Sequence, residues 1–213
     1  MPLINNHLKR SLFIPLLLMI SLWFIKIAEI LFQQTWAHWG IYPRTWIGLR
    51  GILFSPLLHG SLQHLISNSV PLFVLSTSLF YFYKKIAWKV FLFSYIFVGL
   101  WVWLLGRENY HIGASGLIYA FWGFLVFSGI LRKQRALLAI SLIVVFLYGS
   151  IVWGIFPQAL HISWESHLFG FFVGLILAYY YKDVELPSFI NNTTIETEQD
   201  YTNDFWNDVI EKD

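Results

Sequence analysis

The sequence contains no cysteine. That excludes a disulfide, a thiol nucleophile and any cysteine metal site. Charge is scarce as well: 12% of the 213 residues are Asp, Glu, Lys or Arg, against 57% hydrophobic and 20% aromatic. Soluble domains carry about 25% charged residues, so this composition excludes an ordinary soluble fold. Acid is almost absent from the first 181 positions, where only Glu29, Glu108 and Glu165 accompany 12 Lys and Arg; residues 182–213 reverse this, with 2 basic and 9 acidic residues. The basic residues sit at the ends of apolar runs, where they act as topology signals and not as a nucleic-acid surface.

What the chain has instead is apolar runs too long for core helices. Six read as spans, at about 11–32, 62–83, 88–106, 115–131, 136–155 and 163–181, so the expected fold is an all-α integral membrane protein. Lys9, Arg10, Lys84, Lys85, Lys89, Arg132, Lys133, Arg135 and Lys182 fall on one side of such a bundle, and Arg44, Arg50 and Arg107 on the other. This bias predicts cytoplasmic termini. Residues 1–10 then form a cytoplasmic N-terminus, 11–182 the membrane domain, and 183–213 an acidic, disordered cytoplasmic tail. The first run starts like a signal peptide but passes Lys26 and Glu29 without a small-residue cleavage site, so it reads as a retained helix. Lys26 and Glu29 are three apart and suit a structural pair on one face. The external loop, 33–61, holds Trp36, Trp39, Trp46, Tyr42 and Pro43 and reads as an interfacial segment.

Polar residues gather at one end of this bundle. Ser115 stands between Gly113 and Gly116 at the head of an apolar helix. The glycines admit a substrate backbone, and the unpaired amides of a helix start favour an oxyanion. By itself the run suits helix packing better than catalysis, because small-x-x-small patterns are common where membrane helices meet. Two further sites shift that balance. His64 and Asn68 are four apart and share a helix face, with Ser61 as N-cap. His167 precedes Gly170 and Gly174, a small-x-x-x-small face. Spans two, four and six run in the same direction. The fourth has about 17 residues, or ~25 Å, against a hydrocarbon core of ~30 Å, so Ser115 must start below the outer surface. That places Ser115, His64, Asn68 and His167 at one level.

The chemistry this supports is acyl transfer. Ser115 is the nucleophile and His167 the general base. His64, Asn68 and the Ser115 amide are oxyanion donors, and Tyr119, one turn after Ser115, packs on the His167 ring. No span carries an Asp to orient the histidine, so its tautomer must be set by something else. A metal site from His59, His64 and His167 lacks a His-Glu-x-x-His pattern, and neither metal nor cofactor is expected.

With these motifs in place, the chain resembles the rhomboid intramembrane serine proteases over about residues 40–181. His59, His64 and Asn68 match that family's His-x-x-x-x-His-x-x-x-Asn. Gly113, Ser115, Gly116 and Tyr119 match its Gly-x-Ser-Gly-x-x-Tyr, with Gly123 as its helix-packing glycine. His167, Gly170 and Gly174 match its His-x-x-Gly-x-x-x-Gly. The resemblance implies a six-transmembrane-helix bundle, a Ser115–His167 dyad, an oxyanion hole lined by His64 and Asn68, and His59, Gly113 and Gly116 beside them. It also implies transmembrane protein substrates that enter from lipid between spans two and five and are cut at small residues. The family's Trp-Arg pair in the first external loop is not adjacent here; Trp46 and Arg50 are its nearest equivalents. Two rival readings are a pseudoprotease that binds membrane clients without cutting and a small-solute or metal transporter. A transporter would need polar residues on both membrane sides. The expected setting is the plasma membrane; the sequence does not set the oligomeric state.

Overall fold

The structure, a computed structural model, describes residues 2–133, 135–147 and 163–186 and the single positions 154 and 156. The described residues are helical. In chain order they form α1 (Pro2–Leu31), the short α2 (Gly51–Phe54), α3 (Leu62–Phe82), α4 (Ala87–Leu105), α5 (Ser115–Leu131), α6 (Arg135–Leu147) and α7 (Trp164–Tyr180). Their only extended pairing is an isolated bridge between Ile41 and His111.

Among the described residues three segments are long and apolar enough to cross a membrane: His7–Leu31, Leu62–Phe82 and Ala87–Leu105. Large side chains such as Phe13, Ile20, Phe24 and Leu31 on α1 stay exposed, as lipid-facing groups do. Of the other expected spans, 115–131 coincides with α5 and 163–181 exceeds α7 by one residue at each end; both helices have 17 residues. The span expected at 136–155 begins as α6 and runs into residues outside those described, as does nearly all of the tail expected at 183–213. Within residues 1–10, expected as a cytoplasmic N-terminus, α1 already begins at Pro2, and anchors on the end of α3 hold this part of the helix. His7 Nε2 lies 3.2 Å from Tyr81 O with the two rings stacked, and Ser11 Oγ donates to Phe80 O at 3.3 Å.

The bundle is built around α5. Of its 17 residues, 13 are buried. It packs against α3, α4, α6 and α7, whereas α1 lies outside against α3. Glycine makes the α5–α7 contact close. A Cβ at Gly170 would lie 2.3 Å from Gly116 O, and one at Gly174 would lie 2.2 Å from Ala120 O. Each distance is well below a van der Waals contact, so the backbones meet only because both residues lack side chains. At the opposite end Arg132 closes the bundle. Its guanidinium donates to Tyr181 O, Val184 O and Ser128 Oγ, and Ser128 also accepts from the Tyr83 hydroxyl at 2.8 Å.

The 33–61 segment is an ordered cap. Ile41 and His111 exchange backbone hydrogen bonds of 3.0 and 2.8 Å, and Arg44 donates to Gly106 O at 2.7 Å. Gly113 N–H donates to Ser55 O at 2.8 Å. Trp46 is 87% exposed, which suits an aromatic side chain at a membrane interface. Arg50 turns away from Trp46 and places its guanidinium 4.3 Å from the centre of the Trp39 ring.

Candidate active site

Three helices and one loop converge where α5 begins. Ser115 is the first residue of α5 and is buried. The helix N-cap is Ala114, which has no side-chain acceptor, so no cap hydrogen bond forms. Leu117 N–H donates to Ala114 O at 3.0 Å, and the Ser115 and Gly116 amides before it have no side-chain cap. The contrast with α3 is direct: there Ser61 caps the helix by accepting from His64 N–H at 3.1 Å.

His167, in the first turn of α7, places Nε2 2.8 Å from Ser115 Oγ. Its Nδ1 lies 2.8 Å from Gly154 O. A carbonyl can only accept, so Nδ1 carries the proton and Nε2 is left bare to receive one from the serine. The orienting group that the sequence left open is thus a backbone carbonyl, and no carboxylate is required. The Tyr119 ring stacks on His167 with centroids 4.3 Å apart, so the imidazole is held on its face as well as through Nδ1.

The opposite wall is built on Gly113. Its φ of +116° is strained for any other residue, and a Cβ there would lie 2.9 Å from His64 Nε2 and 3.7 Å from Asn68 Nδ2. His64 and Asn68 therefore sit directly against the segment that leads into Ser115. His59 is buried behind them, its ring set edge-on to His64 at 4.9 Å. His59 Nε2 lies 3.1 Å from Asn68 Nδ2 and 3.4 Å from Ala114 N–H. A backbone amide only donates, so this nitrogen is also bare, and it orients the Asn68 amide. Burial, with the neighbouring His64 ring next in importance, pushes the pKa of His59 down to about 3.

The structure thus brings together all eight residues singled out in the sequence: Ser115, His167, His64, Asn68, Tyr119, His59, Gly113 and Gly116. Among the described residues no cluster of three or more His, Asp or Glu has metal-binding geometry.

Comparison with known proteins gives this geometry a family. Residues 46–183 match the Rhomboid domain, more than half of the chain. The chain belongs to the rhomboid family. Uncharacterized proteins of Mycobacterium tuberculosis and Mycobacterium bovis are each 36% identical to it over 156 residues, covering 66% of this chain and 62% of theirs. One of Mycobacterium leprae is 35% identical over 147 residues, covering 62% of this chain and 55% of its own length. The chain therefore spans less than two thirds of the length of these relatives. Rhomboids are generally intramembrane serine proteases, and family membership with the apolar helices makes this rhomboid an integral membrane protein.

Two contributors to the site escaped the sequence. Gly154 acts through its carbonyl, which any residue has, and stands in a stretch with no motif. The Ala114 amide, which donates to His59 Nε2, is likewise a backbone group that residue type does not reveal. The signal available was the missing cap: a helix start after Ala, with no Ser, Thr, Asp or Asn, leaves amides for another acceptor.

Proposed function

We propose that this rhomboid is a serine endopeptidase that hydrolyses peptide bonds in or next to transmembrane segments of other membrane proteins. The observation that carries the reading is the 2.8 Å contact between His167 Nε2 and Ser115 Oγ, with the other ring nitrogen committed to Gly154 O. In the first step Ser115 Oγ bonds to the scissile carbonyl carbon and its proton passes to His167 Nε2. The negative charge that forms on the carbonyl oxygen faces the Ser115 amide, His64 and Asn68. Collapse breaks the C–N bond, and the leaving amine takes the proton from His167. Water, deprotonated by the same histidine, then attacks the acyl carbon; the C–Oγ bond breaks, Ser115 Oγ takes the proton back from His167, and the new carboxyl end is released. The balance needs only water.

In this reading α1, α3, α4, α5, α6 and α7 are six membrane helices. The 17 residues of α5 cover about 25 Å of a ~30 Å core. Ser115 then sits below the outer surface in a cavity that water enters from outside. Both termini are cytoplasmic, and the membrane is the plasma membrane. The substrate leaves lipid and unwinds locally, because an intact helix keeps its carbonyls hydrogen-bonded.

The test is a single-span substrate in detergent together with a fluorophosphonate probe. Wild type should cleave the substrate and be labelled at Ser115, and Ser115→Ala should do neither while remaining folded. Cleavage by Ser115→Ala above a few per cent of wild type would refute the mechanism. A wild-type protein that binds the substrate but leaves both it and the probe intact would be a pseudoprotease.

A further inference from the structure

The family match begins at residue 46, so α1 lies outside it. An ion pair on α1 nonetheless reaches the candidate site. Lys26 Nζ lies 2.9 Å from Glu29 Oε2 and donates to the backbone carbonyl of His59, also at 2.9 Å. The other Glu29 oxygen accepts from Trp36 N–H at 2.7 Å, at the start of the external loop. The Glu29 side chain is 4% exposed and that of Lys26 13%. Spacing alone makes this a structural pair, but its contacts continue inward. His59, held through its carbonyl by Lys26, receives the Asn68 amide and the Ala114 N–H on its ring nitrogen. Only one residue therefore separates the Lys26 ammonium from an oxyanion donor on one branch and from the residue before the nucleophile on the other.

Energetics argue that stability is not the reason for the pair. Withdrawing an ammonium and a carboxylate from water is unfavourable by several kcal/mol per ion, and an apolar pair of similar volume is often as stable or more so. An ion pair does hold a geometry that apolar contacts cannot, because its hydrogen bonds fix direction. We infer that Lys26, aligned by Glu29, is a positioning residue for catalysis: it fixes the His59 backbone and so the orientation of Asn68 and of the chain entering Ser115. By this account α1 takes part in the enzyme and is more than an anchor. The inference rests on the protease reading above.

The experiment uses the full chain in detergent, with active sites counted by the fluorophosphonate endpoint and folding followed by thermal denaturation. Lys26→Gln should lower kcat per labelled site by about tenfold, short of the ~10²-fold that loss of an oxyanion donor costs. KM should change by less than about twofold, since the substrate-binding groups are untouched. Lys26→Arg, which can still donate to the carbonyl and pair with Glu29, should restore most of the loss. The double variant Lys26→Met/Glu29→Leu keeps the packing without the charges, so it should fold and show the same fall in kcat. If the double variant and Lys26→Gln lower the melting temperature but turn over at the wild-type rate per labelled site, the pair is structural and the inference is overturned. Wild type that neither cleaves nor takes up the probe would remove the protease reading and this inference together. Active wild type with fully active Lys26 variants would remove this inference alone.

Discussion

Tyr119 and His167 lie face to face, with 13° between their ring planes. The stack restrains the imidazole in the one direction that its two hydrogen bonds leave free, rotation out of the plane they define. Tyr119→Phe keeps the ring and should retain nearly full turnover. Tyr119→Ala removes a buried aromatic, a class of change that costs about 3–5 kcal/mol. It should lower both the melting temperature and kcat, the latter measured per probe-labelled site.

In the proposed mechanism the Ser115–His167 pair sets the sign of the pH dependence. His167 accepts a proton from Ser115 only while Nε2 is bare, so kcat should fall as the histidine is protonated, about tenfold per pH unit on the acid limb. A rate that shows no acid limb at any pH where the protein remains folded would argue against a histidine base.

His59 gives stability a separate pH dependence. Its folded pKa of about 3 lies below the ordinary value, so between about pH 6.5 and 3 the unfolded chain binds a proton that the folded one does not. Stability should therefore decline as pH falls through that window. Denaturation midpoints across it should fall less steeply in His59→Gln than in wild type. Equal slopes would mean that His59 is not held neutral.

Removing an oxyanion donor typically lowers turnover by ~10²–10³-fold. Asn68→Ala should show that loss in kcat with little change in KM. His64→Ala should do the same with an added fall in melting temperature, because its ring also packs against His59 and Gly113. Wild-type cleavage by both variants would reassign the oxyanion site.

The α5–α7 contact predicts that a single methyl is disruptive. In Gly170→Ala the new Cβ would meet Gly116 O at 2.3 Å, so the helices must separate. Overpacking of this kind costs about 1–3 kcal/mol. Because Ser115 and His167 lie on these two helices, activity should fall further than the melting temperature alone accounts for. Gly60→Ala, whose Cβ would have its nearest neighbour 3.8 Å away, is the matched control.

Much of this arrangement was legible from residue types and spacing. Apolar runs predicted α3, α4, α5 and α7 to within a residue at either end, because length and hydropathy dominate where lipid is the solvent. Counting residues from the membrane surface brought Ser115, His64, Asn68 and His167 to one level, since a helix converts sequence number into depth. What stayed hidden works through backbone atoms or long-range pairing. Gly154 contributes a carbonyl, Lys26 reaches a carbonyl 33 positions away, and Arg50 selects Trp39 over Trp46. None of these leaves a periodic trace, because a carbonyl is common to every residue and loop partners are set by the path of the chain. The length of α1 was missed for the same reason: its first turns are held by contacts with the far end of α3.

The bare start of α5 has a consequence for how this protein meets small molecules. With Ala114 as N-cap, the Ser115 and Gly116 amides have no side-chain cap, and in the proposed mechanism a transient negative oxygen takes that place. Any ligand that places an anion there supplies the cap that the sequence omits. It should bind the folded chain selectively and raise its melting temperature in proportion to the logarithm of its occupancy ratio. A heat-denaturation scan of tetrahedral anions against neutral isosteres would then rank mimics of the transition state in the absence of any substrate.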